Sequence, residues 1–186
     1  MRRRVFLATL PAVAFSLPFA VRSIAAGSKN AAPVAQLQRD WQSLLAPGAN
    51  VTLALDPIKK SEAEWKQLLD PAQFNVLRQE GTERPFSSPL NDEKRPGVFV
   101  CAGCTLPLFT SAMKFDSGTG WPSFFTLIPE HLGTKSDYKI IVERTEYHCV
   151  RCGGHQGHVF DDGPPPTGLR YCNNGVALRF IPLRRA

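Results

Sequence analysis

Cys172 is the one cysteine of this 186-residue chain that lies outside a Cys-x-x-Cys pair. The other four cysteines form two such pairs, Cys101/Cys104 and Cys149/Cys152. Paired Cys-x-x-Cys units are typical of zinc sites, so one thiol is left over. That thiol lies close in sequence to histidines, an acid, an arginine and an amide, which makes it a candidate nucleophile.

The four paired cysteines predict one structural zinc ion per chain. Because 44 residues lie between Cys104 and Cys149, the metal would join two distant hairpins. Four thiolates complete a tetrahedron and leave no open position for substrate, so the predicted role is structural and not catalytic. The alternatives are two disulfides or metal-free thiols. His148, beside Cys149, is a competing ligand that we expect to be an exposed strand residue.

Cys172 needs activation, because an ordinary thiol with a pKa of about 8.5 is mostly protonated at neutral pH. If its segment is a strand, Arg170 and Asn174 project from the same face as Cys172. Their donors would stabilise a thiolate or bind a polar oxygen. Three residues of the preceding segment could face this stripe as acid, base or substrate-orienting groups: His155, His158 and Asp162. The alternative is an inert cysteine buried on a core strand.

The elements that must position these residues begin with two predicted helices. Ser61-Glu-Ala-Glu64 has the pattern of a capping box and predicts a short helix through Leu69. Asp70 followed by Pro71 predicts a second helix to about Glu80, which Gly81 would close.

From Gly97 onward, short β-branched or aromatic runs separated by glycine and proline predict strands. The predicted strands are Val98–Val100, Tyr138–Arg144, Glu146–Val150, His158–Phe160, Arg170–Asn173 and Ala177–Ile181. The predicted fold is therefore mainly β, with two short helices on its N-terminal side.

Residues 1–26 predict a twin-arginine-type signal peptide. Arg3-Arg-Val-Phe-Leu7 precedes a moderately apolar run, and small residues follow at Ser23-Ile-Ala-Ala26. The run is short for a membrane span and is interrupted by Pro11 and Pro18. We therefore expect cleavage, a periplasmic location in a bacterium and no stable membrane insertion of the mature chain. An uncleaved membrane anchor is the alternative.

Beyond this signal, residues 27–57 predict a linker with one short helix around Gln36–Leu45, and residues 58–186 predict the functional domain. Four of the six net positive charges of the chain are arginines within residues 1–26, so the remainder carries only +2. We therefore expect no nucleic-acid partner.

Four ordered motifs between about Ser61 and Phe180 resemble those of the B-type peptide-methionine sulfoxide reductases, which reduce the R epimer of methionine sulfoxide. The motifs are Cys101–Phe109, Lys114–Phe124, Cys149–Gly163 and Pro166–Asn174. The resemblance implies two antiparallel sheets that lean together as a β-tent, with a structural zinc site away from the active site. It implies activity on oxidised proteins that carry methionine-R-sulfoxide.

The resemblance also assigns roles to individual residues. Cys172 would attack the sulfoxide sulfur and become a sulfenic acid as methionine departs. Acid, base and polarising roles fall to His158, Asp162 and Arg170. Substrate positioning falls to Asn174 and His155, and Trp121 would form an aromatic wall against the substrate methyl group. The alternative for Trp121, in a Gly-Trp-Pro turn, is a core position.

The chain departs from the family pattern at one position. Many members carry a second, resolving cysteine where this sequence has Thr119. Because the other four cysteines are predicted zinc ligands, the sulfenic acid would be reduced by an external thiol, such as a thioredoxin-like domain.

Two other classes of function compete with the reductase. One is a zinc-ribbon-like binding module for peptide or nucleic acid, in which Cys172 is inert. The other is a Cys–His hydrolase, which requires an oxyanion hole and a defined base.

Overall fold

The structure, a computed structural model, describes residues 31–138 and 143–183. Its helices are α1 (Ala31–Arg39), α2 (Glu62–Leu68) and α3 (Pro71–Gln79). Four short 3-10 helices accompany them at Asp40–Leu44, Pro89–Asn91, Ser111–Met113 and Gly175–Ala177. The predicted signal peptide, residues 1–26, lies outside the described residues.

Helices α2 and α3 begin at the predicted caps. The Glu64 amide donates to the Ser61 hydroxyl, and the Ser61 amide donates to the Glu64 carboxylate at 2.8 Å. Asp70 accepts from the Gln73 amide at 2.8 Å in the same way. The end of α3 differs from the prediction, because Glu80 and not Gly81 takes the left-handed conformation, with φ of 55°.

Nine strands of the described chain form two sheets. They are β1 (Gly97–Cys101), β2 (Pro107–Thr110), β3 (Lys114–Phe115), β4 (Ser123–Phe124), β5 (Leu132–Asp137), β6 (Arg144–Cys149), β7 (His155–Phe160), β8 (Arg170–Asn173) and β9 (Leu178–Pro182). One sheet has the order β2-β1-β9, and the other has the order β3-β4-β8-β7-β6-β5. The strand pairs are antiparallel, so the predicted mainly β fold with two antiparallel sheets is confirmed.

The predicted strand Tyr138–Arg144 differs from the structure at its described ends. Among its described residues, Arg144 begins β6, while Tyr138 and Glu143 lie outside any strand, and residues 139–142 lie outside the described residues. The preceding strand is β5, whose Leu-Gly-Thr-Lys-Ser-Asp sequence has weak β propensity. It forms because each of its residues pairs with β6, from Leu132 opposite Cys149 to Asp137 opposite Arg144.

Aromatic side chains join the two sheets. Phe109 of β2 stacks on Phe124 of β4, with ring centroids 4.0 Å apart, and Phe99 of β1 meets Phe124 edge to face. Tyr147 of β6 reaches the same cluster. All four rings are fully buried. At about 25 cal/mol per Å² of apolar surface, such rings dominate the stability of the core.

The segment predicted as a linker contains α1 and the 3-10 helix Asp40–Leu44 in its described part. Trp41 is buried, and its ring lies edge-on to His131 with centroids 5.6 Å apart. The Thr52 amide donates to the Thr105 carbonyl. In the described part of the chain, we find no helix with the length and apolar character needed to cross a bilayer.

Candidate active site and metal centre

The four paired cysteines converge on one buried cluster. Their sulfur atoms all lie within 4.8 Å of one another, with Cys101 to Cys152 and Cys104 to Cys149 each at 3.5 Å. A tetrahedral zinc ion with Zn–S bonds of about 2.3 Å requires sulfurs roughly 3.8 Å apart. All four cysteines are free thiols, so the arrangement fits a zinc ion and not two disulfides.

The cluster joins the two sheets. Cys101 ends β1 in the smaller sheet and Cys149 ends β6 in the larger one. Each pair lies on a tight turn, which is closed by the Thr105 amide on the Cys101 carbonyl and the Gly153 amide on the Cys149 carbonyl. His148 is not part of the cluster, as predicted. The four-thiolate zinc site therefore links the two sheets, and we call it the zinc clip.

Cys172 lies in the middle of the larger sheet. Strand β8 runs between β4 and β7, and Cys172 is directly opposite Ser123 on one side and His158 on the other. The row continues to Glu146 of β6, which is opposite His158. Because directly opposed residues of antiparallel strands project from the same face, these side chains share one surface of the sheet.

A cavity of about 130 Å³ opens over this row. It is lined by Thr82, Trp121, Arg144, Gly157, His158, Phe160, Cys172, Asn173 and Asn174. Trp121 forms one wall, and its indole N–H donates to the Glu83 carbonyl at 3.2 Å. The cavity therefore places an aromatic ring, a thiol and an imidazole around a space for one side chain.

Two opposing effects set the ionisation of Cys172. Burial raises the pKa of the thiol above its usual value, and the nearby Arg170 guanidinium opposes this rise only in part. Thr119, the residue at the position of the missing resolving cysteine, also lowers the pKa of Cys172. Its hydroxyl lies 2.8 Å from the Ser117 hydroxyl.

Arg170 is held in place by two residues, Asp162 and Phe160. Its guanidinium donates two hydrogen bonds to the Asp162 carboxylate, at 2.8 and 2.9 Å, and lies 4.3 Å from the Phe160 ring centre. The same guanidinium lowers the pKa of Asp162 below its usual range. Asp162 is 58% exposed, so this pair orients Arg170 more than it stabilises the fold.

The carboxylate partner of His158 is Asp137 on β5. His158 Nε2 lies 2.7 Å from Asp137 Oδ2, and the same oxygen accepts from the Arg144 guanidinium at 2.7 Å. Burial lowers the pKa of His158, the hydrogen bond to Asp137 raises it, and the Arg144 charge lowers it. His158 and Asp162, both predicted near Cys172, are thus held by different partners.

His155 is buried beside His158, with ring centroids 5.3 Å apart. Its Nδ1 lies 2.7 Å from the Glu146 carboxylate, while its Nε2 has no hydrogen-bond partner among the described residues. The Glu146 pKa is about 2, because hydrogen bonds to His148 and His155 outweigh the effect of burial. The ionised Glu146 therefore holds His155 with Nδ1 as the donor.

Asn174 is buried and its amide is fully engaged. Its oxygen accepts from the Glu83 amide at 3.0 Å, and its nitrogen donates to the Gln156 carbonyl at 3.0 Å. Asn174 lines the cavity, so the structure brings it to the predicted site. Its contacts fix the segment around Glu83 against β7.

Sequence reasoning missed several residues of the site: Glu83, Asp137, Arg144 and Glu146. Asp137 reaches the site only through the pairing of β5 with β6 and of β6 with β7. Glu83 reaches it because its carboxylate accepts the Gly175 and Val176 amides. No local pattern in the sequence marks these residues, since their roles depend on strand register and loop packing.

The fold and site define a zinc-binding β protein in which a fifth cysteine, separate from the metal cluster, lies in a side-chain-sized cavity. Comparison with known proteins gives the particular family. The SelR domain model matches residues 69–182. The peptide methionine sulfoxide reductase MsrB of Methanosarcina barkeri is 53% identical over 129 residues, which cover 69% of this chain and 91% of that protein.

Bacterial proteins named peptide methionine sulfoxide reductase MsrB are similarly close. That of Pseudomonas savastanoi pv. phaseolicola is 50% identical over 69% of this chain and 98% of its own length. That of Agrobacterium fabrum is 49% identical over 68% and 94%. The chain belongs to the SelR-domain family of B-type peptide methionine sulfoxide reductases, as the resemblance implied.

Proposed function

We propose that Cys172 is the nucleophile with which this chain reduces methionine-R-sulfoxide in oxidised proteins. The membership in the B-type reductases gives the reaction and its R-sulfoxide substrate. The observation that supports Cys172 is its position in a side-chain-sized cavity between Trp121 and His158, while the other four thiols form the zinc site.

In the proposed step, the Cys172 sulfur attacks the sulfoxide sulfur and forms a transient S–S bond. The oxygen then passes from the methionine sulfur to the Cys172 sulfur, so the substrate S–O bond breaks, a Cys172 S–O bond forms, and the S–S bond breaks as methionine leaves. The methionine sulfur gains two electrons, and Cys172 loses two and becomes a sulfenic acid. The thiol proton ends on that oxygen, so the step needs no outside proton donor. His158 lines the same cavity and can carry the proton between sulfur and oxygen.

The remaining site residues bind and orient. Trp121 contacts the substrate methyl group, and Arg170, oriented by Asp162, favours the thiolate. His155 and Asn174 hold the cavity walls through Glu146, Glu83 and Gln156. Zinc supplies no chemistry at this site; its role is to hold the two sheets together.

The test separates this activity from the competing functions. Incubation with R- and S-sulfoxides of N-acetylmethionine and dithiothreitol should yield the reduced product from the R epimer alone. Cys172→Ser should abolish turnover while zinc content and folding stay unchanged. A Cys172→Ser protein that remains active would overturn the proposed role. Peptide hydrolysis without sulfoxide reduction would indicate a Cys–His hydrolase instead.

We also propose that the enzyme works with one redox-active cysteine. Thr119 occupies the position of the resolving cysteine, and the other four cysteines form the zinc cluster, so the sulfenic acid has no internal thiol to attack it. An external thiol would displace water from the sulfenic acid and form a mixed disulfide, which a second thiol of the reductant resolves. A thioredoxin-like periplasmic domain has this chemistry.

After one equivalent of sulfoxide without reductant, dimedone should label Cys172. Thr119→Cys should replace that label by an internal disulfide between residues 119 and 172. An internal disulfide at Cys172 in the unmodified protein, with zinc still bound, would contradict the scheme.

Export to the periplasm is proposed on the sequence of residues 1–26. Replacement of Arg3 and Arg4 by lysine should leave the precursor in the cytoplasm, as cell fractionation would show. Unchanged export of that variant would indicate another route.

A further inference from the structure

A second cavity, which we call the outer groove, adjoins the active-site cavity. It measures about 420 Å³, and its lining includes Phe86, Lys94, Phe115, Asp116 and Trp121. Trp121 lines both cavities, so the outer groove and the active-site cavity meet at its indole ring.

The two cavities differ in what they can hold. The active-site cavity, at about 130 Å³, is far below the 300 to 1,000 Å³ typical of small-molecule sites, so it suits one side chain. A polypeptide that inserts its oxidised methionine must run over the neighbouring surface. The outer groove shares Trp121 with the active-site cavity, and its volume falls within the typical range.

Phe86 is the exposed aromatic of the outer groove. It is 74% exposed, and its backbone has a φ of 61°, which is costly for a bulky residue. Its amide donates to the Gly120 carbonyl at 2.7 Å, and the Asn91 side-chain amide donates to the same oxygen. One hydrogen bond thus holds the Phe86 backbone to Gly120, and the second holds the Gly120 carbonyl that accepts it.

Gly120 makes this arrangement possible. It has a φ of 91°, and a Cβ at this position would lie 2.8 Å from the Phe86 ring and amide nitrogen. The Gly120 backbone therefore packs directly against Phe86. Because Gly120 precedes Trp121 in the chain, this contact fixes the position of Phe86 relative to Trp121.

The charges of the outer groove are mixed. Lys94 and Lys114 face Asp92, Glu93 and Asp116, so neither a polyanion nor a polycation is favoured. Aromatic side chains, Phe among them, are enriched where proteins contact polypeptides.

We infer that the outer groove binds the residues that flank methionine sulfoxide in an oxidised polypeptide, with Phe86 as its main contact. The inference rests on the proposed reductase function and adds a substrate-binding surface to it. Phe86 then contributes to binding a peptide but not to the reaction of a methionine sulfoxide that lacks flanking residues.

The test compares two substrates with dithiothreitol as reductant, so that no protein reductant has to bind. One is N-acetylmethionine-R-sulfoxide methylamide, and the other is an eight-residue peptide with the R-sulfoxide at its centre. The unmodified enzyme should show a lower KM for the peptide. Phe86→Ala should lower kcat/KM for the peptide about fivefold or more, and for the small substrate less than twofold.

Two controls accompany this variant. Phe86→Tyr should retain peptide activity, because it keeps the ring. Leu68→Ala removes another exposed apolar side chain, which is 58% exposed on α2. This variant should leave kcat/KM unchanged for both substrates. Thermal unfolding of each variant checks that the fold is intact.

Equal KM values for both substrates in the unmodified enzyme would overturn the inference without any variant. So would equal losses for both substrates in Phe86→Ala, which would place Phe86 in the reaction itself. A defect that appears only with a thioredoxin-type reductant would assign the groove to that protein and also overturn it. Failure to reduce the small substrate at all would instead refute the proposed function.

Discussion

At Cys172, burial and hydrogen bonding act in opposite directions on one thiol. Burial raises its pKa, and Arg170 and Thr119 lower it. In the proposed reaction the thiolate is the nucleophile, so each group that lowers this pKa increases the reactive fraction at neutral pH. The Thr119 side chain is one of these groups.

We predict that Thr119→Val raises the pKa of Cys172. Valine keeps the shape of threonine but removes the hydroxyl that lowers this pKa. The rate of Cys172 alkylation by iodoacetamide should then rise with pH through a higher midpoint than in the unmodified enzyme. Thr119→Ser is the control and should retain the original midpoint. A valine variant with an unshifted midpoint would show that the hydroxyl does not act on the thiol.

A second residue-scale prediction concerns Asp137, whose hydrogen bond raises the pKa of His158 against the lowering effects of burial and Arg144. Asp137→Asn should lower the pKa of His158, which an NMR titration of its imidazole measures. In the proposed reaction His158 carries a proton. At pH values above its pKa, each unit by which that pKa falls should therefore lower the rate about tenfold. The loss should therefore be larger at pH 8 than at pH 6. Asp162→Asn offers the comparison, because Asp162 binds Arg170 and not His158.

At the scale of elements, the segment around Glu83 closes the site. Its carboxylate accepts the Gly175 and Val176 amides, its backbone amide donates to Asn174, and its carbonyl accepts from Trp121. One residue thus joins the 3-10 helix after β8 to the wall of the active-site cavity.

Glu83→Ala should destabilise the protein and slow the reaction. Two backbone amides would lose their acceptor, which costs about 1 to 3 kcal/mol for each group left buried without a partner. Urea denaturation measures the change in unfolding free energy. Glu62→Ala is a matched control, since Glu62 is exposed and pairs with the exposed Lys66 on α2. Equal stability of the Glu83 and Glu62 variants would contradict the role assigned to Glu83.

At the scale of the whole molecule, the zinc clip and the aromatic core hold the same two sheets together. Cys101 and Cys149 come from different sheets, and the Phe109–Phe124 stack joins those sheets as well. Loss of the metal should therefore weaken the packing that carries strand β8 and its thiol.

Cys149→Ser should lose zinc and unfold at a lower temperature. Metal binding in small zinc modules is worth on the order of 10 kcal/mol of folding free energy, so the effect should be large. Metal analysis and thermal unfolding of the purified variant measure both. Cys172→Ser is the control, because it removes the thiol outside the cluster and should keep the metal. A folded, zinc-loaded Cys149→Ser protein would refute the structural role.

The sequence by itself determined the features that depend on local pattern. The two Cys-x-x-Cys pairs, the caps at Ser61 and Asp70 and the strand around Cys172 follow from residue type and spacing, and the structure places them as predicted. Arg170 was expected on the face of Cys172 because alternate residues of a strand share a face.

Only the tertiary structure decided which distant groups act on these residues. His158 takes Asp137 as its partner because the register of β5, β6 and β7 brings it there, while Asp162, closer in sequence, binds Arg170. Strand β5 itself forms by pairing with β6 in spite of its weak propensity. Register and packing are set by the whole hydrophobic core, so residues far apart in sequence carry no local sign of their contacts.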